Sequence, residues 1–200
     1  CSYTGPIIAD YSSNELAEQG YISKCNVNII NISYMDQFEG SYNEVKDAVF
    51  SNDYRLSVLK TIVKSVGDDN ILLLVGKVEK EGEYLKDWLE GVVNKEVVFL
   101  SGRDDVEERE KWRKRFEKGS NIVLIATYGI LSTGVNIPSL KYTVLAAPFK
   151  SKIRVLQSIG RNLRKHESKE ESGATIFDIQ DETKYLSKHN SIRARYYDME

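Results

Sequence analysis

The clearest chemical signal in the sequence is a set of polar residues with helical spacing. Gln157, Gly160, Arg161 and Arg164 occupy positions i, i+3, i+4 and i+7. If this stretch is a helix, one face carries an amide and two guanidinium groups beside a residue without a side chain. Two arginines on one face can hold a phosphate group that gains charge during transfer. The spacing favours such a site, although a solvated basic helix end with surface ion pairs would show the same arginines.

A glycine-containing stretch upstream offers further anion-binding groups. The loop from Thr127 to Asn136 includes Gly129, Thr133 and Gly134. Glycines let backbone N–H groups approach an anion closely. Thr127 can offer both its hydroxyl and its amide to a phosphodiester, and Gly134 and Asn136 can face a ribose or a phosphate. Taken alone, the loop is also compatible with an ordinary connection between a strand and a helix.

Both segments follow apolar runs of strand length, and this pattern continues along the chain. Strands are predicted at 27–34, 71–75, 97–100, 122–126, 142–146 and 174–179, with helical patterns between them. Strands that alternate with helices imply βαβ units, and therefore an α/β fold with a parallel sheet and helices on both faces. Ligands of such sheets lie at the carboxyl ends of the strands, where the Thr127 loop and the approach to Gln157 both begin.

Two helices carry patterns that predict particular contacts. In the charged helix that ends at Gly119, we expect the ion pairs Glu107–Lys111 and Glu110–Lys114 on the solvated side. Trp112 and Phe116 are predicted core residues of the same helix. In the last helix His189, Arg193 and Tyr197 share one face, which could pack on the sheet or on a partner domain.

A phosphate-binding loop of the form Gly-x4-Gly-Lys-[Ser/Thr] is missing from the sequence. Its only Gly-Lys pair, Gly76-Lys77, is followed by Val78. Asp104-Asp105 and Asp181-Glu182 could be mistaken for a magnesium-binding acidic pair, but both are predicted to be solvated turns or helix N-termini. We therefore expect that this chain alone does not hydrolyse ATP at a useful rate.

Composition limits the possible partners. The 200 residues carry a net charge of −2, so nucleic-acid binding would need a local basic groove and backbone amides rather than bulk positive charge. Cys1, Cys25, His166 and His189 have no metal-ligand spacing, so no metal site is predicted, and the histidines are assigned surface or capping roles. No apolar run approaches the roughly 20 residues of a membrane span. We expect no membrane partner and a reducing, intracellular setting.

Four segments resemble motifs of superfamily-2 helicases. Ala126-Thr127-Tyr128 with Gly134-Val135-Asn136 resembles motif V, and Gln157-x2-Gly160-Arg161-x2-Arg164 resembles motif VI. The run 71–77, which ends in Gly76-Lys77, is similar to motif IV. Leu100-Ser101-Gly102 with Arg109 and Phe116-x2-Gly119 is similar to a further segment of the same domain. The order and spacing hold across roughly residues 70–180, and these stretches, together with 150–153, most resemble the UvsW-type DNA helicases of phages.

The resemblance implies a domain assignment. Residues 1–200 would form the second of two RecA-like motor domains, with 1–50 as a lead-in segment and 184–200 as the C-terminal helix. Because the chain begins with Cys1 rather than Met, we expect it to be a piece of a longer polypeptide. The missing first RecA-like domain would be the partner domain, and it would hold most of the ATP and Mg²⁺.

The resemblance also implies roles for individual residues. One or both of Arg161 and Arg164 would act as arginine fingers, and Gln157 would orient contacts to the γ-phosphate or to water. The residues near the nucleotide would be Gly134, Asn136 and Gly160. Many members of the superfamily have Asp where Asn136 stands. The residues in contact with the nucleic-acid backbone would be Lys77, Ser101, Gly102 and Thr127.

The function implied is that of an ATP-dependent DNA helicase or translocase. Its substrate would be single-stranded or branched duplex DNA in replication, recombination or repair, and a phage-encoded protein would act in the host cytoplasm. Two alternatives keep the same fold: a non-catalytic nucleic-acid-binding module and the motor subunit of a restriction-type nuclease. A small-molecule α/β enzyme is least favoured, because the sequence has neither Gly-x-Gly-x-x-Gly nor a nucleophile elbow.

Overall fold

The six predicted strands form one parallel sheet. The computed structural model describes residues 13–35, 38–132, 137–147, 160, 164–170 and 172–197. Its strands are β1 (Cys25–Ser33), β2 (Ile71–Val75), β3 (Glu96–Leu100), β4 (Ile122–Thr127), β5 (Tyr142–Leu145) and β6 (Ala174–Glu182). They are ordered β1-β6-β5-β2-β4-β3, and every pair is parallel. The predicted α/β class with a parallel sheet is confirmed.

Helical segments precede, connect and follow these strands. They are α1 (Ser13–Glu18), α2 (Tyr42–Phe50), α3 (Asp53–Ser65), α4 (Tyr84–Glu90), α5 (Val106–Lys118), α6 (Tyr128–Ser132) and α7 (Ser187–Tyr197). A π-helical turn (Val78–Glu83) precedes α4, and a 3-10 turn (Glu167–Lys169) precedes β6. Local sequence sets several of these boundaries. The Asn52 side chain accepts hydrogen bonds from the N–H groups of Tyr54 and Arg55 at 3.0 and 3.2 Å, which caps α3.

The core lies along the middle of the sheet. Every residue of β2 and of β4 is buried. Because successive side chains of a strand point to opposite faces, both faces of the sheet are covered at these strands. The apolar runs 71–75 and 122–126 predict this burial directly, and in α5 Phe116 is buried while Trp112 packs against the same core, as predicted.

One predicted surface turn is instead part of the interior. We expected Asp181-Glu182 to lie in a solvated turn or at a helix N-terminus, and for Asp181 this is wrong. Strand β6 pairs with β1 over nine residues, up to Glu182 opposite Ser33, so it continues past its apolar run. Asp181 is 1% exposed.

The buried carboxylate of Asp181 has two donors from distant parts of the chain. Arg55 Nε lies 2.9 Å from Asp181 Oδ1, and the Tyr34 hydroxyl donates to the same oxygen at 2.6 Å. Arg55 Nη2 also donates to the carbonyl of Ala146 at 2.5 Å. Burial, and next the Asp181 charge, raise the pKa of Tyr34 well above its usual range. The Arg55–Asp181 ion pair, with its hydrogen bonds to Tyr34 and Ala146, therefore joins α3, β6, the end of β1 and the end of β5.

The last helix is held by a second buried ion pair. Arg193 of α7 is fully buried, with Nη2 at 3.1 Å from Asp178 Oδ1 and a hydrogen bond to the carbonyl of Ile179 at 3.0 Å. For Arg193 itself, packing on the sheet is confirmed, of the two options left open for its helix face. The side chains of His189 and Tyr197 lie outside the part of the chain that the structure describes.

Surface ion pairs follow the predicted spacing only in part. Lys114 lies 3.9 Å from Glu110, as predicted. Lys111 contacts Glu108 at 3.1 Å, so the predicted pair with Glu107 is replaced by an i,i+3 pair. Both spacings place side chains on the same side of a helix, and the sequence alone does not choose between them.

Asp181→Asn should destabilise the protein by about 3 kcal/mol or more, because it leaves the buried Arg55 charge without a counter-charge. Glu108→Gln, which removes an exposed pair, should cost at most about 1 kcal/mol. Urea unfolding followed by circular dichroism measures both values. Equal losses in the two variants would contradict the role assigned to the buried pair.

Candidate nucleic-acid and nucleotide interface

Three adjacent strands end level with one another at the carboxyl edge of the sheet. Val75 of β2 is paired with Thr127 of β4, and Leu100 of β3 is paired with Ala126. Neighbouring strands lie about 4.8 Å apart, so the residues that follow these strands share one edge. Lys77, Ser101 and Gly102 are among them, and Thr127, the last residue of β4, completes the set of four residues predicted to contact a nucleic-acid backbone. The structure thus brings together residues that are up to 50 positions apart in sequence.

The loop after β3 is shaped by its own side chains. The N–H and the hydroxyl of Ser101 both donate to Asp104 Oδ2, at 2.6 and 3.1 Å, and the Arg103 N–H donates to the Ser101 hydroxyl oxygen at 3.1 Å. Asp105 is the N-cap residue of α5. The prediction that Asp104-Asp105 forms a turn and a helix N-terminus is therefore confirmed. Gly102 is exposed, and a Cβ added there would meet no atom within 4 Å.

The loop after β2 is closed by a buried carboxylate that the sequence did not single out. Glu81 Oε2 accepts hydrogen bonds from the N–H groups of Gly76 and Lys77 at 2.6 and 3.0 Å. Its other oxygen lies 2.8 Å from Lys46 Nζ. The π-helical turn returns Glu81 to the end of β2. Because both amides are engaged, Lys77 can offer a phosphate only its side chain.

Thr127 is the last residue of β4 and is 8% exposed. Helix α6 follows it directly, and an ideal Cβ at Gly129 would lie 3.9 Å from the Thr127 hydroxyl oxygen. The predicted nucleotide contacts Gly134 and Asn136 lie outside the described residues.

The start of the segment that leads to Gln157 is fixed by hydrogen bonds. The N–H groups of Ala146 and Ala147, just beyond β5, donate to the Leu74 carbonyl at 3.0 and 3.2 Å. Arg55 donates to the Ala146 carbonyl from the helix α3 side. The chain therefore leaves the sheet from a defined point at its carboxyl edge, as expected. Gln157 and Arg161 lie outside the described residues, and Gly160 is exposed.

Arg164 lies near the amino edge of the sheet, opposite the carboxyl edge that carries the four residues above. Its side chain is exposed, and its carbonyl accepts a hydrogen bond at 3.2 Å from Ser23, two residues before β1 begins. Burial lowers the pKa of nearby Lys169 to about 8, and the Arg164 charge adds to this shift. These contacts separate Arg164 from the four residues at the carboxyl edge.

The predicted capping role of His166 is confirmed. Its ring accepts a hydrogen bond from the Ser168 N–H at 3.2 Å.

Within the ranges given above, no group of three or more His, Cys, Asp or Glu side chains is arranged to hold a metal ion. In the same part of the chain, no helix has the length and apolar character needed to cross a bilayer.

The fold and the edge motifs define the class of protein. The helicase conserved C-terminal domain family matches residues 54–166, more than half of the chain, and the chain belongs to this family. The C-terminal domain of the DEAD-box protein Dbp5 has the same fold, with a TM-score of 0.59 at 20% identity over 74% of this chain and 82% of that one. The prediction of a RecA-like sheet is confirmed.

Particular relatives are viral. The ATP-dependent DNA helicase uvsW of Enterobacteria phage T4 is 29% identical over 201 residues, which cover 96% of this chain and 39% of that protein. The putative helicase 161L of Invertebrate iridescent virus 6 is 28% identical over 166 residues, 78% of this chain and 36% of that protein. The crystal structure of T4 UvsW gives a TM-score of 0.69 at 31% identity, over 88% of this chain and 40% of that one. The chain spans about two fifths of the length of these relatives.

Gly102→Ala should weaken nucleic-acid binding at this edge and leave the stability of the fold nearly unchanged. The added methyl group meets open space in the free protein, so the unfolding free energy should change by less than about 1 kcal/mol. A phosphate that approaches the backbone at this position would be displaced, and the affinity for a single strand should fall. Thermal unfolding and fluorescence anisotropy with a labelled oligonucleotide measure the two effects.

Gly91→Ala is the matched control, because Gly91 ends α4 and its added Cβ would approach only a backbone oxygen at 3.7 Å. Unchanged affinity in Gly102→Ala would remove Gly102 from the interface.

Proposed function

We propose that this chain is the second motor domain of an ATP-dependent DNA helicase or translocase. Membership of the helicase C-terminal domain family carries the proposal. The name of the T4 relative describes an ATP-dependent DNA helicase, and the likeness covers nearly the whole of this chain. The first RecA-like domain would hold ATP and Mg²⁺, and this domain would close against it during each cycle of hydrolysis.

The carboxyl edge is the proposed contact with one DNA strand. Lys77 would contribute an ammonium group, Gly102 a close backbone approach, and Thr127 a hydroxyl or amide group. Ser101, whose N–H and hydroxyl both donate to Asp104, would hold the loop that presents Gly102. The level ends of β2, β4 and β3 support this proposal, because a strand crossing them would meet the residues in turn. Such contacts hold the phosphate backbone and carry no sequence information.

The segment after β5 is the proposed contact with ATP. Arg161 and Arg164 would act as arginine fingers that stabilise negative charge on the transferred phosphoryl group, with Gln157 orienting the γ-phosphate or the attacking water. Gly134, Asn136 and Gly160 would lie next to the nucleotide. The helical spacing of the arginines and the fixed exit of the chain beyond β5 support this proposal.

The proposed substrate is single-stranded or branched duplex DNA in replication, recombination or repair. This step depends on the likeness to uvsW-type proteins. A non-catalytic binding module of the same fold would bind a strand without coupling that binding to ATP hydrolysis, so DNA-stimulated ATPase activity of the full-length protein separates the two functions.

Arg161→Ala and Arg164→Ala should each be tested for DNA-stimulated ATPase activity in the full-length protein. Loss of an arginine finger should lower kcat by about 10³-fold or more, because it removes stabilisation that is present only in the transition state. DNA affinity, measured without ATP, should change little. Lys165→Ala is the control, since Lys165 is a neighbouring exposed cation outside the motif.

The contact of Arg164 with the region before β1 makes the comparison of the two variants informative. A large loss in Arg161→Ala alone assigns the finger to Arg161, and wild-type kcat in both variants would refute the finger proposal.

A further inference from the structure

One carboxylate bridges two lysines beside the proposed DNA-binding edge. Asp47, on α2, lies with Oδ1 2.5 Å from Lys77 Nζ and with Oδ2 2.6 Å from Lys80 Nζ. Lys77 follows β2 directly, and Lys80 belongs to the π-helical turn. Each carboxylate oxygen therefore accepts from a different ammonium group.

This arrangement has the chemistry of a bound phosphodiester. A phosphodiester offers two oxygens that share one negative charge, and Asp47 offers the same to Lys77 and Lys80. Hydrogen bonds from Lys77, and then from Lys80, lower the pKa of Asp47, and the same contact raises the pKa of Lys80. The carboxylate is thus ionised at neutral pH. The three groups together carry a net charge of +1.

The cluster is open to solvent. The side chains of Lys80, Lys77 and Asp47 are 68%, 35% and 26% exposed. A phosphate can therefore reach both lysines without unfolding any element. Lys46, the neighbour of Asp47 in sequence, is engaged separately with the buried Glu81.

A separate ion pair between an exposed cation and a carboxylate lies next to this cluster. Arg103, which follows Gly102, has Nη1 3.0 Å from Oε1 of Glu79, and both side chains are 68% exposed. The Asp47 cluster connects the π-helical turn with α2, and the Arg103–Glu79 pair connects the same turn with the loop after β3. Three cations at this edge are thus held by carboxylates of the same chain.

We propose that Asp47 and Glu79 occupy the places of DNA phosphates, and that a DNA strand binds this edge by displacing them. Lys80 and Arg103 then join Lys77 in the contact. This inference rests on the proposed function and extends its binding site by two residues. Asp47 precedes the matched family region, which begins at residue 54, so the counter-charge comes from an element outside that region.

Displacement weakens binding and changes its salt dependence. Each phosphate that replaces a carboxylate gains an ion pair only by breaking another, and the released carboxylate takes up a cation from solution. Net counterion release is therefore smaller than for free lysines. A strand contact of this kind exchanges readily, which suits a motor that must release and regain the backbone at every step.

Fluorescence anisotropy of a labelled oligothymidylate, titrated with the full chain at several KCl concentrations, tests the proposal. At low salt Asp47→Asn should bind about three- to fivefold more tightly than the wild type, the scale of one exposed ion pair. Its plot of log K against log[KCl] should be steeper by about 0.7, the value for one further phosphate of a single strand. Glu79→Gln should tighten binding in the same direction through Arg103.

Two variants control for other causes. Asp68→Asn makes the same change in net charge on an exposed turn before β2, at the opposite edge of the sheet, and should leave affinity unchanged. Lys80→Gln should weaken wild-type binding and should cancel the gain in the Asp47→Asn background. Thermal unfolding of every variant verifies the fold.

The outcomes are distinct. If the wild type binds the strand and Asp47→Asn and Glu79→Gln bind no better than Asp68→Asn, the inference is overturned and the proposed function remains. If the wild type binds no strand at any salt concentration, both are overturned. If Asp47→Asn fails to fold, Glu79→Gln decides, because its exposed side chain can be changed without loss of structure, and unchanged affinity there overturns the inference.

Discussion

The buried ion pair between Arg55 and Asp181 is the interaction on which the carboxyl edge of the sheet depends. It joins helix α3 to β6, receives the Tyr34 hydroxyl from the end of β1, and through Arg55 holds the carbonyl of Ala146 just beyond β5. Because desolvated charges are costly, such a pair persists only when its partners are held in place by several elements. The point at which the chain leaves the sheet towards Gln157 is fixed by this pair and by the hydrogen bonds to Leu74.

The parallel register converts scattered residues into one surface. Lys77, Ser101 and Thr127 follow or end three strands that are neighbours in the sheet although they are not consecutive in the chain. Their loops are closed by carboxylates, Glu81 after β2 and Asp104 after β3, which accept backbone N–H groups at the strand ends. These acidic residues determine which donors remain for a ligand: the side chain of Lys77 and the open backbone at Gly102.

The cations at this edge are paired with carboxylates of the same protein. A chain with a net charge of −2 needs local cations and backbone amides to bind nucleic acid, and here Lys77, Lys80 and Arg103 each contact a carboxylate. In the proposed motor, such pairing would keep the strand contact weak enough to exchange while leaving the cations in position. The proposed arginine fingers have a different task from these paired cations. Arg161 and Arg164 would stabilise charge that develops only during phosphoryl transfer.

The sequence by itself determined the elements and the motif positions, because both are local. Continuous apolar runs predicted β2 and β4, and short spacings predicted the segments proposed to handle phosphate. Only the tertiary structure decided that Asp181 is buried and that Asp47 is the partner of Lys77. Arg55 and Asp181 are separated by 126 positions, and Asp47 and Lys77 by 30, so no periodic pattern links them. Whether a carboxylate lies in solvent or faces a cation depends on how far its strand continues and which helix packs over it, and sheet register sets both.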